Sequence, residues 1–358
     1  MSTSVNYDAL GEFVGIDETE LDYIRMMDGY SPDEGIDEDV VESIFNYYRK
    51  VGFPHYKYTE YEKLKTITSL RRVDSKSLIS NGIIRQTMNG LGLAWSYFPH
   101  SWKVRCNDKI SPMDAFMDDE RLRKVIRKCL MFSGKDHSKG RKVNDVFLRK
   151  ILKISTGVQG VSNFRPTAAA AIYETYGGDG VVWDMSCGWG GRLLGALMAK
   201  NITKYIGTEP ATLTCRGVRQ MAEDFMHLGK NIEIHCMGSE NYLPKPKTLD
   251  LCFTSPPYFD NERYSEENTQ SYKKFSEYED WKYGFYERTM MNCKRGLKSG
   301  SHMLINIANI AGKAMIEDDT IELATKLGFI HEDTLKLTLS ALNRGGFKFE
   351  PVFVFRKP

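Results

Sequence analysis

The 358-residue sequence predicts an α/β fold, a doubly wound and mostly parallel seven-stranded sheet with a C-terminal antiparallel hairpin, preceded by a mainly helical N-terminal domain. Three observations predict it. From about residue 155, apolar runs of strand length alternate with helical stretches, the signature of a parallel sheet with right-handed crossovers. The first run, "GVVWDMS", leads into a glycine turn, "CGWGGRLLGALMA", that opens a helix. The last two runs are joined without an intervening helix, and a connection that short requires an antiparallel pair.

Residues 1–154 are predicted as the helical domain. In "DEDVVESIFNYYRKV" acids fill the first turn, bases the last, and apolar residues recur at helical spacing. "DDERLRKVIRKCLMF" and "NDVFLRKILKI" read as basic amphipathic helices, with the aromatic, irregular "GLAWSYFPHSWKVR" upstream of them. Charge is unevenly spread. Up to Tyr48 the only base is Arg25, whereas from Arg121 to Lys153 the only acids are Asp136 and Asp145. Such a run is either a solvated face or a polyanion-binding strip. On the second reading Arg121, Arg123, Lys124, Arg127, Lys128, Arg141 and Lys142 are candidate nucleic-acid contacts.

Residues 155–358 are predicted as the sheet domain. After "GVVWDMS" come the strands "KYIGTEP", "NIEIHCMGSE", "LDLCFTS" and "HMLINIA", then the closing pair "EDTLKLTLS" and "EPVFVFRK". Helices are expected at "TLTCRGVRQMAEDFMHLG", "EDWKYGFYERTMMNCKRGL" and "DDTIELATKLG".

Several classes are excluded. No apolar run of 18 residues predicts a membrane span, and the N-terminus lacks a secretory pattern. Seven scattered cysteines without a C-x-x-C pair argue against a disulfide framework or a metal site, and for a reducing, cytoplasmic location.

Two motifs carry chemistry. In "DMSCGWGGR", Asp184 ends a strand, and Gly188, Gly190 and Gly191 let the backbone turn tightly and approach a ligand. Glu209, ending the next strand, falls where a ribose-binding carboxylate stands in doubly wound folds. The turn is not G-x-G-x-x-G and no phosphate-gripping lysine follows, so a nucleoside cofactor without a pyrophosphate fits best. The second motif is "TSPPY". Pro256 and Pro257 fix φ and remove two N–H donors. A rigid carbonyl and the Ser255 hydroxyl can each accept a hydrogen from an exocyclic amine. That grip draws the nitrogen lone pair out of conjugation and aims it at an electrophile. Tyr258 or Phe259 can stack on the ring that bears the amine.

"SPPY" after a fourth strand, with "DMSCGWGGR" after a first, resembles the exocyclic-amino DNA methyltransferases, the N4-cytosine and N6-adenine enzymes that use S-adenosylmethionine. The resemblance covers roughly residues 160–358. It implies a class I methyltransferase, Rossmann-like fold, base flipping, and transfer of the methyl to the base amine, as in restriction-modification systems. Phe164 and Pro166 in "SNFRPTAAAAIYETYG" match the segment that helps enclose the cofactor in that family. By the same resemblance Asp184, Cys187, Gly188, Gly190, Glu209 and Ser239 would hold S-adenosylmethionine, with Glu240 near its adenine. Ser255, Pro256, Pro257 and Tyr258 would form the catalytic clamp. The serine form of the motif leans toward cytosine. Arg192, where the family has a small hydroxyl residue, and the bulky Trp189 depart from the pattern. Recognition of DNA would fall to the N-terminal domain or to the loop "FDNERYSEENTQSYKKF", through Tyr264, Lys273 and Lys274; a mobile lid is the other reading of that loop. An RNA base-amine methyltransferase, or a nucleic-acid-binding regulator or hypermodification protein with a diverged domain, are the alternatives.

Overall fold

The structure, a computed structural model, describes residues 36–106, 109–133, 143–260, 263–310, 314–341 and 347–358. Helix α1 (Glu38–Val51) begins where the Asp37 carboxylate caps the Asp39 N–H, and it buries Val41, Phe45 and Tyr48 along one stripe. Thr59 and Glu62 form a reciprocal capping box at the start of α2 (Glu60–Leu70). Helix α3 spans Leu91–Ser96. Ser111 and Asp114 box the start of α4 (Pro112–Met117), with proline at its first position. Helices α5 (Asp119–Ser133) and α6 (Asp145–Ile154) follow. Together α1, α4, α5 and α6 enclose a core of their own that includes Phe45, Phe116, Leu122, Ile126 and Leu148.

The sheet strands are β1 (Ile79–Ser80), β2 (Ile83–Ile84), β3 (Val181–Asp184), β4 (Lys204–Thr208), β5 (Asn231–His235), β6 (Leu249–Thr254), β7 (Leu297–Asn306), β8 (Ile330–Ala341) and β9 (Phe347–Arg356). Their order is β1-β2-β8-β9-β7-β6-β3-β4-β5. β5, β4, β3, β6 and β7 run parallel, and β9 is antiparallel to both β7 and β8. This is the doubly wound, Rossmann-like sheet with a reversed closing strand that the sequence predicts. Among the described residues it has nine strands rather than seven, because the two-residue strands β1 and β2 extend it beside β8. Their brevity hides them from any periodicity argument.

Between strands lie α7 (Pro166–Tyr176), α8 (Gly191–Met198), α9 (Thr212–Asp224), α10 (Ser271–Lys274), α11 (Tyr278–Trp281), α12 (Arg288–Gly296) and α13 (Ile316–Lys326). The single helix expected over "EDWKYGFYERTMMNCKRGL" is α11 and α12 joined by a π-helical stretch at Lys282–Glu287. One face of the sheet packs on α7 and α8, and it also takes in Ile67, Leu70, Leu93, Trp95 and Phe98. The other face covers Trp281, Phe285, Met290, Leu323 and Phe329. The change of texture near residue 155 is therefore not a division of cores, since residues from Ile67 to Cys106 contribute to the core on one face of the sheet.

Connectivity reverses at β3. The chain winds outward through β4 and β5, then crosses to β6 on the other side of β3, where Trp183 lies beside Cys252. This switch point sets the carboxyl ends of β3 and β6 side by side, leaving the crevice in which such sheets bind ligands. One expectation is corrected: Cys215 of α9 and Cys236, just past β5, are disulfide-bonded, with Cα atoms 5.8 Å apart. Their separation of 21 residues forms no motif, and only the packing of α9 against β5 brings them together. Among the described residues no helix is long and apolar enough to cross a membrane.

Candidate active site

A cavity of about 420 Å³ opens at the switch point. Phe164, Cys187, Gly188, Trp189, Arg192, Glu209, Ser239 and the run Ser255–Tyr258 all line it. Gly188 (φ +50°) and Gly190 (φ +71°) take the left-handed conformation that lets β3 turn into α8. A Cβ at Gly191 would run into the Phe164 carbonyl and the Asn163 side chain. Gly190 serves packing instead, against Met221 and Phe98, and is not part of the cavity wall.

Glu209 is the acid beside the glycine turn. Its carboxylate accepts the Gly188 N–H at 3.1 Å and the Ala211 N–H at 2.9 Å. Burial pushes its pKa up to about 7, against the pull of those two donors. Asp184 has a different place from the one the resemblance implies. Its carboxylate accepts from Ser186 N–H (3.3 Å), Thr254 Oγ (3.1 Å), Arg192 Nε (2.9 Å) and Tyr205 OH (2.7 Å). It is 1 % exposed and does not reach the cavity. What Asp184 presents to the cavity is Arg192, whose guanidinium is also anchored on the Ser186 carbonyl.

Pro166 starts α7 and lies behind the wall, while Phe164 reaches it with its ring edge-on to Phe253 at 5.3 Å. The Cys187 thiol is buried at the wall, and that burial pushes its pKa up. Ser239 exchanges a 2.8 Å hydrogen bond with Thr289, and Asn292 braces its carbonyl. Three buried polar atoms of lining residues have no hydrogen-bond partner among the described residues: Glu240 Oε2, Gln270 Nε2 and Trp189 Nε1.

Ser255 follows β6 directly. Neither its hydroxyl nor the Ser255 and Pro256 carbonyls make a hydrogen bond among the described residues. The two rings after the prolines part company. Tyr258 lines the cavity, whereas Phe259 (φ +50°) turns away to pack on Tyr278 and Trp281 at 5.6 and 5.9 Å. Of the two rings, Tyr258 is the one on the cavity wall.

The basic candidates are mostly engaged within the chain. Arg123 pairs with Glu42, Arg127 with Glu38, and Arg121 with Asp118, so the acidic start of α1 neutralises part of the strip. Lys124 and Lys128 have no ion pair among the described residues, and Arg141 and Lys142 lie outside them. In the loop, Lys273 pairs with Glu266 and Lys274 with Glu240, each at 2.6 Å, and Tyr264 stands edge-on to Trp189 at 5.5 Å. Tyr264 lines the cavity, and Lys274 is held beside it by Glu240.

Some lining residues escaped the sequence reading. Asn306, at the end of β7, and Gln86 and Glu350 line the cavity beyond Ser255. The available signal was a polar residue interrupting an apolar strand near the sheet edge, in "LINIAN" and "FEPVFVF".

No family model matches the chain, and no curated protein matches it. Solved structures resemble about half of the chain at low identity. The [4+2]-cyclase SpnF superposes with a TM-score of 0.39 at 12 % identity, over 54 % of this chain and 81 % of its own. A TehB-like SAM-dependent methyltransferase from Corynebacterium glutamicum gives 0.36 at 18 % identity, over 55 % and 90 %. Magnesium protoporphyrin IX methyltransferase from Synechocystis, solved with bound SAM, gives 0.35 at 13 % identity, over 50 % and 70 %.

Proposed function

We propose that this chain is an S-adenosylmethionine-dependent methyltransferase acting on an exocyclic amino group of a DNA base. One observation carries the reading: the Ser-Pro-Pro-Tyr clamp and the glycine turn with Glu209 open into the same cavity. The residues fit the cofactor. Glu209 can accept both ribose hydroxyls, Glu240 is a second carboxylate on the wall for the adenine amine, and Arg192 is a cation for the α-carboxylate. When bound, the cofactor supplies a methyl group on a sulfonium as the electrophile.

The chain's own groups do the positioning. The Ser255 hydroxyl and the Pro256 carbonyl accept the two amine hydrogens, which frees the nitrogen lone pair to point toward the cofactor side. Tyr258 stacks on the flipped base, repaying part of the few kcal/mol that unstacking costs. Alignment of this kind accounts for roughly 7–11 kcal/mol of barrier lowering in well-oriented reactions, so no general base is demanded of the clamp.

The test is transfer of labelled methyl from S-adenosylmethionine to DNA, followed by nucleoside analysis. Label in N4-methylcytosine or N6-methyladenine, lost at least 100-fold in Ser255→Ala and Tyr258→Ala, is the expected result. Label that enters RNA and never DNA would overturn the substrate, and no transfer to either would overturn the reading.

A further inference from the structure

Helix α9 begins without a cap of its own. The residue before its first turn is Ala211, which has no side-chain acceptor to offer. The free N–H groups of that turn must find water or another part of the chain. Glu267, 55 residues after Thr212, takes the first of them. Its Oε1 and Oε2 accept the Thr212 N–H at 2.9 and 3.2 Å, and Oε2 also accepts the Thr212 hydroxyl at 2.6 Å. The helix dipole further favours a carboxylate at this end. Two residues on, the Thr269 hydroxyl donates to the Pro210 carbonyl at 2.9 Å.

The segment that carries Glu267 is braced within itself. Ser265 Oγ donates to Glu267 Oε1 at 3.1 Å and accepts the Glu267 N–H at 3.2 Å. Tyr272 OH donates to the Ser265 carbonyl at 2.7 Å, and the Gln270 N–H to the Glu267 carbonyl at 3.1 Å. A grip on Glu267 therefore places residues 265–272 together, and of these Thr269, Gln270, Ser271 and Tyr272 line the cavity. What Glu267 grips is the turn that also sets Glu209. Along that turn Glu209 accepts the Ala211 N–H, Pro210 accepts from Thr269, and Thr212 donates to Glu267. The cavity wall beside Glu209 is thus made of two stretches distant in the chain, and Glu267 joins them.

We propose that Glu267 is a positioning residue for the cofactor, latching residues 265–272 to the start of α9 and so completing the cavity wall beside Glu209. This rests on the S-adenosylmethionine site of the function proposed above. Glu267 is not itself a lining residue, so it acts through the wall it holds. The latched state presents the whole wall and binds the cofactor more tightly. Loss of the latch lowers the apparent affinity in proportion to the molecules left unlatched.

The experiment uses the full chain and compares wild type, Glu267→Ala, and Glu267→Ala combined with Ala211→Ser, which gives α9 a local cap. Calorimetry reads S-adenosylhomocysteine binding, urea unfolding reads stability, and amide hydrogen exchange reads residues 265–272. Glu267→Ala weakens S-adenosylhomocysteine binding by about 3- to 30-fold, the range that a lost cap allows, and quickens exchange over 265–272. The added serine restores stability but leaves affinity and exchange at the Glu267→Ala level, because a local cap cannot hold the distant segment. The inference is overturned if Glu267→Ala binds S-adenosylhomocysteine as wild type does. It is equally overturned if Ala211→Ser restores affinity along with stability, since Glu267 would then be a helix cap and nothing more. Should the serine fail to restore stability, exchange decides: opening confined to residues 265–272 supports the latch, and opening that extends through α9 overturns it. Weakened binding in Glu267→Ala, with no methyl transfer to DNA by wild type, would refute the proposed function and leave the positioning role standing. A wild type that does not bind S-adenosylhomocysteine would refute both.

Discussion

The buried pair under the glycine turn makes a sharp quantitative test. Asp184 is 1 % exposed and Arg192 6 %, so neither charge is solvated and each depends on the other. Replacing Asp184 with alanine leaves the guanidinium buried with only the Ser186 carbonyl, and it strips acceptors from Tyr205 and Thr254. Breaking a buried pair from one side costs about 3–5 kcal/mol, because an uncompensated charge remains. Arg192→Met is milder, since Asp184 keeps the Ser186 N–H, Thr254 and Tyr205 donors. The double variant removes the stranded charge, so its loss falls short of the sum by about 2–3 kcal/mol. Urea unfolding followed by tryptophan fluorescence reads all four proteins, with equal slopes required for the comparison. A loss under about 1 kcal/mol for Asp184→Ala, or strict additivity in the cycle, would refute the claim that Asp184 exists to hold Arg192.

Two further outcomes follow from the same geometry. Glu209, with a pKa of about 7 in the fold against an ordinary 4.5, favours the folded state at low pH; that contribution is complete below about 4.5 and is lost as pH rises through about 7. Ligand binding runs the other way, because ribose hydroxyls need an ionised acceptor: S-adenosylhomocysteine affinity, read by calorimetry, falls up to about tenfold per unit below pH 7, and Glu209→Gln flattens both profiles. The Cys215–Cys236 bond closes a span of 21 residues between α9 and the end of β5, so its reduction, or Cys215→Ala, should lower stability by about 3 kcal/mol in the chain-entropy account, measured by unfolding with and without dithiothreitol.

What the sequence made legible was what repeats or what is chemically rare. Strand and helix alternation announced the parallel sheet, and a doubled proline between a hydroxyl and aromatics announced one half of the site. Both signals are local. The residues that escaped are defined by partners distant in the chain. Arg192 read as a departure from a family pattern until its Asp184 partner was seen, and Trp189 read as bulk inside a glycine turn. In the fold Trp189 packs among Trp95, Phe98 and His100 at centroid distances of 6.0, 5.7 and 5.4 Å, so it fastens the N-terminal segment to the turn. The basic strip illustrates the converse. Its charge density was plain, but the acids that neutralise Arg123 and Arg127 stand more than 80 residues upstream, at Glu42 and Glu38. No window along the chain relates them.

The two-residue strand β2 has a consequence for the order in which the molecule is made. Without it, the long strand β8 would offer an unpaired edge to any neighbouring chain, and open edges of that kind template aggregation. Ile83 and Ile84 lie against Lys336 and Leu337, and Gln86 adds a hydrogen bond to the Thr338 carbonyl. A ribosome delivers these residues long before β8 emerges. The guard is therefore already synthesised when the vulnerable edge appears, and the middle of β8 can be covered by its own chain before a stranger finds it.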